Sequence, residues 1–308
     1  MKKIVYCNTF KPWRIEDNSV QAVITSHPYY QMRKYDIPDV KITNTFTGQY
    51  GWESSYQEYI AHTLLWIKEV KRVLSDDGIF FLNIQDKFST KSGGMRGDVP
   101  QPEFSIKVNE VMNRKQAKQN LHDKTYCMIP ERLAIAMVDD GWTLRNKIVW
   151  HKSNALPESV VDRFSKKYEH VFMFVKNKNY YFNLGAVKVP IKESTVVRAK
   201  GGVGSNHKYI LENMGLNACR EYNNNAEPKL LCNPGDVWTI PNQALKASHY
   251  ASYPETLIER MILCSTKEGD TVLDPFVGSG RTLLVANRLG RNGIGFDLGY
   301  EEIHNKIL

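Results

Sequence analysis

Short apolar runs alternate with amphipathic stretches near both ends of this chain of 308 residues. Residues 2–6 and 20–25 are apolar runs that predict two short buried strands. Residues 55–74 place apolar side chains at helical spacing behind a serine–glutamate capping box, which predicts an amphipathic helix. A continuous apolar run follows over residues 79–84. This order of helix, short turn and buried strand is typical of a parallel sheet covered on both faces.

The middle of the chain departs from this alternation in two places. Residues 87–125 contain paired glycines, two prolines and a basic polar stretch, so we expect a long loop or insertion. A solvated surface helix with a loop is the structural alternative for that segment. A helix at 130–140 and strands at 142–151 and 170–175 then restore the pattern. Residues 190–235 have little periodicity and are the candidate second domain.

The α/β pattern returns after Asp236. Helices are expected at 254–265 and 279–289, and strands at 271–274 and 293–297. Because strands and helices alternate on both sides of the aperiodic segment, the sequence predicts an α/β fold with an internal insertion.

Composition and charge narrow the choice of function. Apolar residues make up 42% and charged residues 24%, which is ordinary globular composition. The 41 Lys and Arg against 33 Asp and Glu give a net charge of +8, which favours a polyanionic partner such as nucleic acid. No apolar run is long enough for a membrane span, and the start does not have the pattern of a signal peptide. Five scattered cysteines argue for a reducing cytoplasm and against a disulfide framework or structural metal site.

A glycine-rich turn follows the strand predicted at 271–274. The segment contains Asp274, Phe276, Gly278, Ser279 and Gly280. Glycines at such a turn allow the backbone to approach a ligand closely, and the helix that follows offers free N–H groups. The turn lacks the Lys-Ser/Thr pair of a P-loop, which argues against a nucleoside triphosphate. Asp297 ends the next strand, where a carboxylate can accept hydrogen bonds from ribose hydroxyls.

A second candidate site follows the strand predicted at 20–25. It consists of Ser26, His27, Pro28 and Tyr29. A hydroxyl, a proline-held loop and aromatic rings at the carboxyl end of a strand suit a planar polar group. Open α/β sheets bind their ligands at those carboxyl ends. The structural alternative is an ordinary turn with a packed tyrosine.

Together these segments resemble the DNA amino-methyltransferases that use S-adenosylmethionine. Their order is that of the circularly permuted β group, in which the catalytic half precedes the cofactor half. Ser26 and Tyr29 match the Ser-Pro-Pro-Tyr motif of cytosine-N4 enzymes rather than the Asp/Asn-Pro-Pro-Tyr motif of adenine-N6 enzymes. The chain departs from the pattern at His27, which replaces the first proline, and at Asn8, where a Gly-Asp pair is usual.

The resemblance implies a circularly permuted Rossmann-like methyltransferase sheet with a small inserted target-recognition region. Residues 1–189 would form the catalytic half, 190–235 the target-recognition region and 236–308 the cofactor half. Ser26, His27, Pro28 and Tyr29 would be the catalytic residues. The residues implied to hold S-adenosylmethionine are Asn8, His249, Tyr253, Asp274, Phe276, Gly278, Ser279, Gly280 and Asp297.

The implied reaction methylates the exocyclic N4 of a cytosine flipped out of double-stranded DNA. The Ser26 hydroxyl and the carbonyl of residue 27 would accept hydrogen bonds from the amino group, and Tyr29 would stack on the base. For the His27 ring, structural tolerance and a direct role both stay open. DNA contacts are expected from Lys152, Arg198, Lys200, His207, Lys208 and Arg220.

Other functions also stay open. Adenine-N6 methylation is the nearest alternative, because His27 makes the catalytic motif irregular. A catalytically inactive DNA-binding protein is an alternative of another class, motivated by the departures at Asn8 and His27. The sequence is compatible with a monomer or a homodimer, and with or without a cognate restriction endonuclease as a partner.

Overall fold

The computed structural model describes residues 2–35, 37–89, 121–191, 231–243, 253–299 and 301. Most of the two aperiodic segments, 87–125 and 190–235, therefore lies outside the described residues. Among the helices that are described, none combines the length and the apolarity that crossing a bilayer requires.

A mixed sheet of eight strands forms the centre of the molecule. In sheet order the strands are β1 (Lys2–Tyr6), β12 (Asn292–Asp297), β11 (Thr271–Asp274), β2 (Val20–Ser26), β5 (Leu74–Ile84), β7 (Tyr168–Val175), β6 (Thr143–His151) and β10 (Val237–Thr239). Neighbouring strands are parallel, except that β7 runs antiparallel to both β5 and β6. This corrects the expectation of a parallel sheet. Strands β6 and β7 follow one another without a crossover helix, and a parallel pair usually needs one.

Helices cover both faces of this sheet. In the described chain they are α1 (Tyr56–Val73), α2 (Ile129–Asp139), α3 (Glu255–Ser265) and α4 (Arg281–Arg288), with a 3₁₀ turn at Gly185–Val187. Helices α1 and α2 pack on one face, and α3 and α4 pack on the other. The α/β fold expected from the sequence is thus confirmed.

Strand β5 shows how the sequence divides the core between the two faces. Phe80 and Leu82 point toward α1 and α2, whereas Ile79 and Phe81 point toward α3 and α4. None of the four is more than 1% exposed. Alternate side chains of a strand point to opposite faces, so an unbroken apolar run fills both cores. Each such side chain contributes about 1.5–3 kcal/mol when it is fully buried.

Helix α1 begins where the sequence predicts. The Ser55 hydroxyl accepts a hydrogen bond of 3.2 Å from the Glu58 N–H. The Glu58 carboxylate accepts hydrogen bonds from the N–H and the hydroxyl of Ser54 at 3.2 and 2.9 Å. The helix ends at Val73 and β5 starts at once. The predicted turn at residues 76–78 is instead a bulge within this strand, because Val20 pairs with Leu74 but Ala22 pairs with Ile79.

The first strand of the chain completes the sheet beside the last. Strand β1 pairs in parallel with β12, and the Cys7 N–H donates to the Asp297 carbonyl at 3.0 Å. Just beyond β1, the Thr9 hydroxyl donates to the Pro275 carbonyl at 3.0 Å. The carboxyl ends of β1, β12, β11 and β2 therefore lie along one edge, as the permuted order implies.

Two small antiparallel ladders lie outside the main sheet. Strands β3 (Val40–Lys41) and β4 (Thr47–Gly48) form one, and β8 (Val189–Pro190) and β9 (Leu231–Cys232) form the other. The second ladder brings the two ends of the segment 191–230 together. The assignment of residues 190–235 as a recognition region stays a prediction.

Gly295 of β12 tests how tightly the turn after β11 packs on the sheet. A Cβ added at Gly295 would lie 2.8 Å from both Cβ and Cγ2 of Val277, which is a buried residue of that turn. We expect Gly295→Ala to lower the free energy of unfolding by about 1–3 kcal/mol, measured by urea denaturation, because the backbone must shift. Gly185→Ala is the control, since its nearest neighbour is the end of the Asn183 side chain at 3.2 Å. Equal stability of the two variants would contradict the prediction.

Candidate active site

Asp274, the last residue of β11, joins four parts of the fold through its carboxylate. Oδ1 accepts hydrogen bonds from the Thr25 hydroxyl at 2.7 Å and the Phe276 N–H at 3.1 Å. Oδ2 accepts from the Thr282 hydroxyl at 2.6 Å and the Tyr253 hydroxyl at 3.1 Å. The residue is 1% exposed, and this burial raises the pKa of the carboxyl group while its hydrogen bonds lower it. Both carboxylate oxygens therefore hold neighbouring segments of the fold together, and a contact of Asp274 with the cofactor stays a prediction.

The turn after Asp274 depends on two glycines. Gly278 and Gly280 have φ angles of +49° and +79°, which side-chain-bearing residues rarely adopt. Gly280 also precedes α4, and no side chain caps that helix. A Cβ at Gly278 would have as its nearest neighbour the Phe276 carbonyl oxygen, 3.9 Å away. The turn therefore presents backbone to its surroundings, as a ligand cradle requires. Helix α4 begins at Arg281, two residues later than predicted, because the glycines belong to the turn.

Asn8 and Asp297 lie at the ends of the neighbouring strands β1 and β12. The Asn8 side chain accepts from the Phe10 N–H at 3.0 Å and donates to the Lys41 carbonyl at 3.2 Å. Asp297 Oδ1 accepts from the Gly299 N–H at 2.9 Å. Both side chains thus hold loops at the same edge as the glycine turn. His249, the other candidate for this region, lies outside the described residues.

The His27 ring lies in the aromatic core, 2% exposed. Its ring neighbours are Tyr29, Tyr50, Tyr59, Trp66 and Phe276. The Tyr59 hydroxyl donates to the Pro28 carbonyl at 2.9 Å, so His27 Nε2 is the donor in its 2.8 Å bond to that hydroxyl. Burial lowers the pKa of His27 to about 3. The neutral, buried ring therefore supports the structural role rather than direct contact with a base.

Ser26 and Tyr29 take part in a network of polar side chains at the carboxyl end of β2. The Tyr29 hydroxyl lies 2.9 Å from each of Ser26 Oγ, Asn83 Oδ1 and Glu169 Oε2. The Asn83 amide donates to Glu169 Oε2 at 3.0 Å, and Lys152 donates to Glu169 Oε1. Burial, followed by the nearby Glu169 carboxylate, raises the pKa of Tyr29 well above its usual value. Tyr29 is therefore a neutral phenol throughout the physiological range.

Lys152, whose contact with DNA stays a prediction, lies beside Glu169 at the start of β7. Its side chain is 16% exposed, its ammonium pairs with Glu169, and it lies 4.7 Å from the centroid of the Trp150 ring. The other expected DNA-contacting residues, which lie outside the described residues, are Arg198, Lys200, His207, Lys208 and Arg220.

Sequence reasoning missed several residues of the site. Asn83 was included in an apolar strand, although a lone amide in such a run is itself a signal of a buried polar contact. Thr25 and Thr282 carried no motif that distinguishes them from other threonines. The partners of Glu169 come from three separate segments, namely the loop after β2, strand β5 and the loop after β6.

The buried His27 makes stability depend on pH. The folded-state pKa of about 3 lies below the ordinary value of 6.5, so the unfolded chain binds more protons between these values. The stability that the neutral ring provides is complete above pH 6.5 and is lost as the pH falls. Between pH 7.5 and 5 we expect the wild type to lose about 2 kcal/mol more than His27→Pro, which carries the family's usual residue. Urea denaturation at both pH values measures this difference.

A histidine elsewhere on the surface provides the control for that experiment. The exposed His122 meets water in both the folded and the unfolded state, so His122→Gln should keep the pH dependence of the wild type. An identical loss in wild type and His27→Pro would show that the His27 ring does not stay neutral in the folded protein.

Comparisons with known proteins agree with this geometry. Residues 20–307 match the profile of the DNA methylase family of N6/N4 methyltransferases. The chain is 34% identical over 291 residues to the type II methyltransferase M.XycI of Xanthomonas campestris pv. cyanopsidis, covering 94% of this chain and 81% of that protein. It is 33% identical over 290 residues to M.Cfr9I of Citrobacter freundii, with the same coverage of 94% and 81%.

Solved structures give the same fold. The PvuII DNA methyltransferase (cytosine-N4-specific) superposes with a TM-score of 0.62 at 18% identity, covering 98% of this chain and 83% of that one. TTHA0409 of Thermus thermophilus, complexed with S-adenosyl-L-methionine, gives 0.56 at 17% identity, covering 99% and 92%. With a profile match over nearly the whole length and relatives above 30% identity, the chain belongs to the DNA methylase family of N6/N4 amino-methyltransferases.

Proposed function

We propose that this protein is a site-specific DNA methyltransferase that methylates the exocyclic N4 of cytosine in double-stranded DNA. The observation that carries the base assignment is Ser26 at the end of β2, where adenine-N6 enzymes have Asp or Asn in the motif this segment resembles. Its hydroxyl lies 2.9 Å from the Tyr29 hydroxyl within the polar network. The likeness in fold to a methyltransferase described as cytosine-N4-specific supports the assignment.

The chemistry requires hydrogen-bond acceptors directed at the target amino group. An exocyclic amino nitrogen shares its lone pair with the aromatic ring and is a poor nucleophile. Acceptors for its N–H groups draw that pair out of conjugation and leave it available to react. The Ser26 hydroxyl and the His27 backbone carbonyl are these acceptors, and a carbonyl is kept whether residue 27 is Pro or His. The half-buried Tyr29 ring offers a face on which the base stacks.

S-adenosylmethionine is the methyl donor and, when bound, supplies the methyl group on its sulfonium sulfur. The residues present fit such a molecule, because Gly278 is only half-buried with room where a side chain would stand, and α4 begins without a side-chain cap. Asp297 at the end of β12 would accept hydrogen bonds from the ribose hydroxyls, and the partly buried Phe276 would provide an apolar contact. Asp274 holds this turn in position through its four hydrogen bonds.

The target atom cannot be reached inside a stacked duplex, so the cytosine is flipped out at a cost of a few kcal/mol. The net charge of +8 supplies cations for phosphate contacts. Residues 190–235 are the proposed recognition region, with the contacts expected from the sequence there. Several relatives are type II methyltransferases, which supports a role in a restriction–modification system with a cognate endonuclease.

Nucleoside mass spectrometry tests the reaction and the base. Unmethylated DNA incubated with the protein and S-adenosylmethionine should yield N4-methylcytosine. We expect Ser26→Ala to lower the rate about 100-fold, because one acceptor for the amino group is lost. Ser159→Ala, a change at an exposed serine in the loop between β6 and β7, should keep the wild-type rate.

Three results would contradict this assignment in different ways. N6-methyladenine would move the base assignment to adenine. A wild-type rate for Ser26→Ala would show that the Ser26 hydroxyl takes no part in methyl transfer. The absence of methylated bases, with cofactor binding intact by calorimetry, would favour an inactive DNA-binding protein.

Asp274→Asn tests the cofactor turn. An amide keeps one oxygen where a carboxylate has two, and each Asp274 oxygen accepts two hydrogen bonds, so two of the four donors lose their partner and the turn shifts. We expect the affinity for S-adenosylmethionine, measured by isothermal titration calorimetry, to fall at least about tenfold. Asp270→Asn, at the turn before β11, is the matched control and should bind normally. Unchanged binding by Asp274→Asn would show that the network does not shape the cofactor site.

A further inference from the structure

Glu169 has no part in the mechanism above, yet it lies at the centre of the polar network beside Ser26. We propose that Glu169, paired with Lys152, is a positioning residue. It fixes the Ser26 hydroxyl so that its proton points inward to Tyr29 and its lone pairs face the target amino group. The inference deepens the proposed function and rests on it, since it concerns how Ser26 acts as an acceptor.

The neighbours of the Tyr29 hydroxyl determine where its proton lies. This oxygen has three neighbours at 2.9 Å, namely Ser26 Oγ, Asn83 Oδ1 and Glu169 Oε2. The Asn83 amide nitrogen donates to Glu169 Oε2 at 3.0 Å and to the His170 carbonyl at 3.1 Å, both of which only accept. The Asn83 oxygen must therefore face Tyr29. Two of the three neighbours of the Tyr29 hydroxyl are thus acceptors without a proton to give.

The single proton of Tyr29 goes to one of those two acceptors. An ionised carboxylate forms hydrogen bonds roughly twice as strong as those of a neutral amide, so Glu169 receives it. Lys152 occupies the other carboxylate oxygen and balances its charge. The two side chains are 7% and 16% exposed, so the ion pair is shielded from water.

The direction of the Ser26 hydroxyl proton follows from this assignment. Because the Tyr29 proton is committed to Glu169, the 2.9 Å contact between the two hydroxyls is a hydrogen bond only when Ser26 donates. A hydroxyl has one proton and two acceptor lone pairs. With its proton directed inward, the half-buried Ser26 presents only lone pairs to the carboxyl edge of the sheet. When a glutamine replaces Glu169, its amide N–H groups can donate to Tyr29 and to Asn83, so the Asn83 oxygen can turn away from Tyr29. Tyr29 then donates to Ser26, whose proton turns outward and opposes an amino N–H.

A double-mutant cycle of Glu169→Gln and Ser26→Ala tests this chain of contacts. Glutamine keeps the shape of the side chain but lacks the charge, and its amide can donate to Tyr29. In single-turnover methylation of duplex DNA we expect Glu169→Gln to lower the rate about 10- to 100-fold. The KM for DNA and the Kd for S-adenosylmethionine should stay within about twofold of wild type, because the residue acts on Ser26 alone. In the Ser26→Ala background the Glu169→Gln change should lower the methylation rate less than about threefold.

The control is another glutamate held by a cation. Glu69 pairs with Arg72 on α1 at 2.8 Å, and Glu69→Gln should methylate at the wild-type rate. If Glu169→Gln fails to fold, Tyr29→Phe removes the hydroxyl that links Glu169 to Ser26. Combined with Ser26→Ala, it should show the same loss of additivity in the methylation rate.

Equal costs of Glu169→Gln in the two backgrounds would overturn the inference, since the glutamate would then act independently of Ser26. A full rate for Glu169→Gln would overturn it as well. Either result, obtained with an active wild-type enzyme, leaves the proposed function intact. A wild type that methylates no cytosine contradicts the proposed function instead.

Discussion

The arrangement of the candidate site depends on the buried carboxylate of Asp274. Its four hydrogen bonds join the end of β2, the glycine turn, the start of α4 and the residue just before α3. A carboxylate held in so dry a place is costly unless its lone pairs are matched by donors. Thr25 lies next to Ser26 in sequence, so the hydrogen bond from Thr25 to Asp274 also fixes the segment of Ser26 and Tyr29 relative to the glycine turn.

The molecule stabilises two buried acids in different ways. Asp274 is surrounded by neutral hydroxyls and one backbone N–H, whereas Glu169 is paired with the Lys152 ammonium. Neutral donors suit a group that organises backbone, because they fix its geometry without a second charge. An ion pair suits a carboxylate that accepts a hydrogen bond from the Tyr29 hydroxyl, because the lysine keeps the carboxylate charged.

The permuted chain order has a simple structural basis. Strand β1 pairs in parallel with β12, so the first strand of the chain lies beside the last strand of the described residues. All parallel strands of the sheet then direct their carboxyl ends to one edge, where Ser26, Asp274 and Asp297 lie. The long loop 152–167 returns β7 antiparallel, and this reversal brings Glu169 at the start of β7 to that same edge.

The sequence by itself determined the elements of the fold and the two motifs, since periodicity, caps and glycine turns are local properties of the chain. It predicted all four helices and seven of the twelve strands of the described residues, and it pointed to Ser26 and the glycine turn. The strands that it did not predict, β3, β4, β8, β9 and β10, are only two or three residues long. Only the tertiary structure decided the direction of β7, the burial of His27 and the partners of Tyr29 and Asp274. Tyr29 and Glu169 are 140 positions apart in the sequence, and Thr25 and Asp274 are 249 positions apart. Such contacts depend on strand order and register, which no local pattern in a single sequence specifies.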